Sequence, residues 1–190
     1  MSSAGAELED SGAGKGRALW PSIALFLVAF GADRLHKFLQ VSPACVGGGC
    51  ISGASPHGPA TALGWTGGEF VPVTPFLDYV LVWNTGISYG LFASLPVVVL
   101  GILMLVAIAA LGIWWWNARD GLTRAGLALC IGGALSNALD RWIYGGVADF
   151  FHFHYGAYGF YIFNLADSAI TLGVILLILD FLGVGHRRNS

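Results

Sequence analysis

Long apolar runs alternate with short polar ones along this chain. Four runs are apolar enough to cross a bilayer as helix, which takes about 20 residues: roughly 18–39, 95–116, 122–143 and 163–182. The first has no small-residue cleavage site after a short apolar core, and Asp33, Arg34 and Lys37 lie in its outer half. It reads as a retained span rather than a secretory leader. The stretch 42–72 is rich in Gly, Pro, Ser and Thr and reads as loop. Phe76-Leu77-Asp78-Tyr79-Val80-Leu81-Val82-Trp83 is aromatic and β-branched and reads as a strand, closed by the turn signal Asn84-Thr85-Gly86. Ser94 before Leu95 and Pro96 is a helix start. The pattern predicts four helices under a small β-rich element, with no internal repeat.

Composition sharpens this picture. Of 190 residues, 56% are hydrophobic and 11% charged, against about 25% charged in a soluble domain, so a membrane protein is expected. The net charge of −2 gives no reason to expect a nucleic-acid partner. Lys15 and Arg17 precede the first span, Arg119 and Arg124 join the second to the third, and Arg187 and Arg188 follow the fourth. No Lys or Arg falls between Lys37 and Arg119, or between Arg141 and Arg187. The positive-inside rule then puts both termini in the cytoplasm and the segments 41–94 and 144–162 outside. Trp114, Trp115 and Trp116 mark the inner interface. The expected organisation is a disordered cytoplasmic tail at 1–17, a membrane domain at 18–185 with an outer segment at 42–94, and a basic tail at 186–190.

Cysteines decide little. Cys45 and Cys50 fall in the first outer segment, where an oxidising compartment would allow a disulfide; two free thiols fit equally. With only His57 nearby as a further ligand, a metal site there is not favoured. Cys130 lies within the third span and reads as packing.

The chemistry lies in ionisable groups inside the spans, each costing about 2.5–3.5 kcal/mol on insertion scales. Asp33 is followed by His36 and Lys37 at i+3 and i+4, on one face. Asn137, Asp140 and Arg141 repeat that spacing at the outer end of the third span, with Gly133 one turn below as a site of close helix approach. Asn164, Asp167 and Ser168 repeat it on the fourth. Asp149 lies in the short outer connection, where it can meet Asp167. Two close carboxylates tend to share one proton, as in an aspartic protease. Asp140 beside Arg141 reads as an orienting pair. Asp78 and Glu69 read as solvated outer-loop groups, Asp180 as solvated or capping, and His152 and His154 as part of an amphipathic interfacial stretch. Spacing alone leaves a hydrolase and a proton or ion pathway both open. The inner stretches 98–113 and 171–178 hold almost no polar residues, which argues against a through-path. A non-catalytic membrane-assembly protein is the other reading.

Five motifs in order then resemble those of the lipoprotein signal peptidase (signal peptidase II) family. They are Asp33-Arg-Leu-His-Lys37, Asn84-Thr-Gly-Ile-Ser-Tyr-Gly-Leu-Phe92, Gly132-Gly-Ala-Leu-Ser-Asn-Ala-Leu-Asp-Arg141, Val147-Ala-Asp-Phe150 and Phe163-Asn-Leu-Ala-Asp-Ser-Ala-Ile170. The resemblance spans roughly 20–185. It implies an all-α membrane fold, four transmembrane helices with a small periplasmic β-cradle, in the bacterial inner membrane. It implies an aspartic endopeptidase that cuts prolipoproteins just before a diacylglyceryl-modified cysteine, acts as a monomer, uses no metal or cofactor, and is inhibited by globomycin. By motif position Asp149 and Asp167 match the catalytic pair. Asn84, Gly86, Asn137, Asp140, Arg141, Asn164 and Ala166 match residues lining or supporting the site, and Asp33 and Lys37 match polar first-helix positions. The chain departs from the family pattern at Arg34, where Gln is common, at His36, at Ser136, at Tyr89 and in the longer 42–72 segment.

Overall fold

A computed structural model of the protein describes residues 3–41, 70–85 and 97–184. Gly86, Glu69, Cys45 and Cys50, the expected helix start at Ser94 and the 186–190 tail lie outside the described residues. The elements are α1 (Ser3–Gln40), β1 (Val71–Thr74), β2 (Leu77–Asn84), α2 (Val97–Asn117), α3 (Gly121–Tyr144), β3 (Val147–Tyr155), β4 (Tyr158–Phe163) and α4 (Leu165–Phe181). The helices fall on the four apolar runs. The backbone of α1 also extends through the segment read from composition as an unstructured tail. Ala, Glu and Lys in that segment are good helix formers, a preference that a reading by disorder composition passes over.

Helix α3 packs against α1, α2 and α4, and small residues set how closely. A Cβ added at Gly132 would meet the Phe26 carbonyl oxygen on α1 at 2.9 Å and Ala29 Cβ at 3.0 Å. One added at Gly126 would meet the Gly173 carbonyl oxygen on α4 at 2.8 Å. At Gly133 the added carbon would strike the backbone of Ala166 and, at 2.8 Å, the side chain of Ile170. Small residues at these seams let the helix backbones approach closely. Cys130 fills the α3–α4 seam and its thiol faces the Ile170 carbonyl at 3.6 Å. The segments Val99–Asn117 and Gly121–Tyr144 are long and apolar enough to cross a membrane by length and composition.

The strands form one antiparallel sheet in the order β1-β2-β3-β4. The 144–162 connection is thus more ordered than a loop. Its Phe-His-Phe-His alternation is the two-residue period of a strand, and the hairpin turns at Gly156, whose φ of 58° suits glycine. Between Tyr79↔Phe151 and Val82↔Asp149 the register slips, three residues of β2 spanning two of β3. This bulge bends the sheet beside Asp149, a common way to re-aim a side chain. Val41, Leu81, Ala148 and Phe150 form a buried cluster, with Tyr79, Trp83 and Tyr144 packed against it. That cluster seats the sheet on the C-terminal end of α1 and fixes β3 relative to the helices.

Candidate active site

Three helix ends and one strand converge beneath the sheet. Helix α1 supplies Asp33, Arg34 and Lys37; α3 supplies Ser136, Asn137, Asp140 and Arg141; β3 supplies Asp149; α4 begins at Asn164 and carries Ala166 and Asp167 in its first turn. Asp33, Lys37, Asp140, Asn164 and Ala166 are fully buried.

The innermost layer is ionic. Lys37 Nζ lies 2.7 Å from Asp33 Oδ2 and 2.7 Å from Asp140 Oδ2. Arg34 pairs with the other oxygen of Asp140 and also donates to the Ser136 carbonyl at 3.3 Å. Ser136 Oγ donates to Asp33 Oδ2 at 2.6 Å. Two carboxylates and two cations sum to zero, which makes so buried a cluster tolerable, since an unpaired buried charge is strongly destabilising.

The two carboxylates act upon the backbone that bears the proposed pair. Asp33 Oδ1 accepts from the backbone N–H of Ala166 at 2.9 Å, the residue before Asp167. Asp140 Oδ2 accepts from the backbone N–H of Ala148 at 3.2 Å, the residue before Asp149. Lys37 joins the two anchors, so one ammonium ties together the segments carrying both aspartates.

Above this layer two asparagines distribute donors. Asn137 Oδ1 accepts from Lys37 Nζ at 3.1 Å and from Asn164 Nδ2 at 3.1 Å, while its Nδ2 donates to Asp167 Oδ1 at 2.8 Å. Asn164 Nδ2 donates to Asp149 Oδ1 at 2.7 Å and lies 3.3 Å from the Ala148 carbonyl. With two hydrogens and three acceptors, at least one of these bonds is shared. Asn164 also caps α4: its Oδ1 accepts from Asp167 N–H at 2.9 Å, and Asp167 Oδ2 accepts from Asn164 N–H at 3.3 Å. This reciprocal capping box fixes the Asp167 rotamer as well as the helix start. Asn84 Nδ2 reaches Asp149 Oδ2 at 3.2 Å.

The two aspartates sit in unequal surroundings. Asp149 is 2% exposed, and burial, followed by the negative charge of Asp167, pushes its pKa up to about 8 against the pull of Asn84, Lys37 and Asn164. Asp167 is half-buried and lines an open groove along α4. It lies in the first turn of a helix, where the dipole favours negative charge.

Most residues named from the sequence therefore come together: Asp149, Asp167, Asn84, Asn137, Asp140, Asn164, Ala166, Asp33 and Lys37 form one connected network. Arg141 differs in detail. The cations paired with Asp140 come from α1, because an i, i+1 neighbour on a helix points away. Arg141 instead donates to the Asn137 carbonyl at 3.4 Å and lies in electrostatic reach of Asp149 and Asp167. Asp78 is not a solvated loop group, since His152 Nδ1 lies 3.1 Å and His154 Nε2 3.3 Å from its oxygens across β2 and β3. Asp180 accepts from Thr123 Oγ1 at 2.5 Å and ties α4 to α3. Arg34 and Ser136 were visible in the sequence only as departures from a pattern. The signal for their role was an extra cation within an apolar run, which requires an anionic neighbour.

Comparisons with known proteins identify relatives of the chain. A family model described as signal peptidase (SPase) II matches residues 25–183. The lipoprotein signal peptidase of Methylobacterium radiotolerans is 46% identical over 120 residues, covering 62% of this chain and 70% of that one. That of Rhodopseudomonas palustris strain TIE-1 is 51% identical over 120 residues, covering 59% and 73%. A solved bacterial membrane enzyme, determined by the in meso method at 2.3 Å resolution, shares the fold with a TM-score of 0.67 at 24% identity, covering 90% of this chain and 93% of that one. The chain belongs to the signal peptidase II family, aspartic proteases that cleave signal peptides from prolipoproteins.

Proposed function

We propose that the chain cleaves lipidated prolipoproteins immediately before the diacylglyceryl-modified cysteine, with Asp149 and Asp167 as the catalytic pair. The observation that carries the reading is the bridge through Asn164, which bonds both carboxylates while Asp33 and Asp140 anchor the residues preceding them.

Unequal burial supports a division of roles. Asp149, with its pKa raised to about 8, holds the shared proton at neutral pH. Asp167, more open and at a helix N-terminus, is the ionised member and general base. Asp167 takes a proton from water as the water oxygen attacks the scissile carbonyl. Asp149 gives its proton to the carbonyl oxygen, forming a neutral gem-diol. The C–N bond then breaks: Asp167 returns its proton to the leaving cysteine nitrogen, and Asp149 recovers one as the carboxyl group re-forms. Arg141 and Asn84, both beside the pair, are the donors proposed to hold substrate carbonyls. A globomycin-type inhibitor would act by filling the same groove.

The proposed setting is the bacterial inner membrane, with four crossing helices, cytoplasmic termini, and the site near the periplasmic face of a monomer. The exposed apolar residues Ile102, Val106 and Ile113 on α2 and Leu172 and Ile178 on α4 suit contact with lipid tails. Helix α4 has 17 residues, a rise of roughly 26 Å, slightly short of a hydrocarbon core of about 30 Å. Its first turn, with Asp167, thus falls close to the interface.

The test uses the purified protein in phospholipid vesicles with a prolipoprotein bearing, or lacking, the diacylglyceryl group. Mass spectrometry should show cleavage of the lipidated form alone, with the modified cysteine as the new N-terminus. Equal cleavage of both forms would remove the lipid from recognition.

A further inference from the structure

Of the ionisable side chains between Asp33 and Lys37, all but His36 belong to the ionic layer. The His36 ring meets the sheet instead. It stands edge-on to Phe150, with 4.7 Å between ring centroids, and stacks on Phe151 at 5.4 Å. Its Nε2 lies 2.9 Å from the Tyr79 hydroxyl on β2. Its Nδ1 is buried with no hydrogen-bond partner among the described residues. A buried nitrogen left unpaired costs free energy that an apolar side chain at this position would avoid.

These contacts bracket Asp149. On its N-terminal side the Ala148 N–H is held by Asp140. On its C-terminal side Phe150 and Phe151 carry the His36 ring. Tyr79 pairs with Phe151 at one edge of the register slip, whose other edge is Val82↔Asp149. A bulge interrupts the ladder of strand hydrogen bonds, so a clasp on its far side bears directly on where the strand places Asp149. We infer that His36 is a positioning residue for Asp149: clasped by Tyr79 and wedged against Phe150 and Phe151, it holds the bulged part of the sheet down on α1. The assignment rests on the catalytic role proposed above for Asp149. The other groups that face Asp149 are Lys37 from α1, Asn84 from β2, Arg141 from α3, and Asn164 and Asp167 from α4. They act on its carboxyl group, whereas His36 acts on its strand.

The test opens the clasp from each side. Tyr79→Phe removes the hydrogen bond and keeps the ring; His36→Ala removes both the bond and the wedge. Burial pushes the Tyr79 phenol pKa up, so the phenol is neutral across the assay range and its loss changes no charge near Asp149. Thermal melting checks the fold, and Tyr79→Phe carries the test if His36→Ala does not fold. With lipidated prolipoprotein in vesicles, kcat should fall by about ten-fold in His36→Ala and by less in Tyr79→Phe, with KM within about two-fold of the parent. The pH profile reads the placement of Asp149 itself. A loosened strand admits water, which weakens the burial that raises the Asp149 pKa, so the alkaline limb of kcat/KM should move to lower pH by about half a unit or more. An alkaline limb at the parent's position in every variant that folds overturns the positioning role, whatever happens to the rate. Cleavage at the parent rate by Asp149→Asn overturns the reading of Asp149 instead.

Discussion

Asn164 donates to Asp149 Oδ1 at 2.7 Å across the gap between the start of α4 and strand β3. The same residue caps α4 through Asp167, so a single side chain touches both carboxylates.

Replacement of Asn164 by alanine should damage both functions. Loss of the cap costs about 1 kcal/mol, and the buried acceptors left behind cost about 1–3 kcal/mol. Displaced carboxylates should lower kcat by about a hundred-fold. Melting curves and steady-state kinetics on Asn164→Ala measure the two effects. Asn164→Asp keeps the cap acceptor but sets a third carboxylate against Asp149, so it should melt closer to the parent yet cleave no faster than the alanine variant.

The raised pKa of Asp149 predicts two pH effects. Activity needs its proton, so kcat/KM should fall with a one-proton slope above pH about 8. Stability follows from linkage. Between the ordinary value of 3.8 and about 8, the folded chain holds a proton that the unfolded chain releases. Stability should therefore decline as pH rises through that window and level off above it. Asp149→Asn should flatten that decline and melt higher than the parent at pH 9. A parent melting temperature that rises between pH 5 and pH 9 would contradict the assignment.

Charge balance in the ionic layer predicts a rescue. Lys37→Met removes the ammonium that Asp33 and Asp140 share, and should destabilise by about 3–5 kcal/mol. The double variant Lys37→Met with Asp33→Asn is again neutral, because Arg34 still pairs with Asp140 and the introduced amide oxygen still accepts from Ala166 N–H. It should recover most of the lost stability in denaturant or thermal unfolding. A double variant no more stable than Lys37→Met would argue against the pairing.

Helix seams predict a contrast among glycines. Gly133→Val should force α4 from α3 and carry Asp167 with it, abolishing cleavage and lowering the melting point. Gly112→Ala on α2 meets nothing within 4 Å among the described residues and should be neutral or raise stability by up to about 1 kcal/mol through helix propensity.

The helices and most of the site were legible in the sequence because ionisable groups inside apolar runs are few and their helical spacing can be read directly. Asp33 with Lys37, Asn137 with Asp140, and Asn164 with Asp167 each declared a face. Pairings between elements were not legible. Arg141 is the nearest cation to Asp140 along the chain, yet Arg34 and Lys37 are its partners in space. The β3–β4 hairpin was obscured because four residues of Phe-His alternation fit both an interfacial stretch and a strand. The seating of Asp78 between His152 and His154 depends on that cross-strand register. The contacts from Asp33 and Asp140 to backbone N–H groups carry no side-chain signature at Ala166 or Ala148, so no motif could announce them.

The central claim is that Asp149 and Asp167 perform the cleavage. The most direct measurement is single-turnover cleavage of a lipidated prolipoprotein by Asp149→Asn and by Asp167→Asn, with globomycin binding measured in parallel. Each variant should lose at least about a thousand-fold in rate while binding globomycin within a few-fold of the parent. A folded, globomycin-binding variant of either aspartate that cleaves at the parent rate would contradict the account.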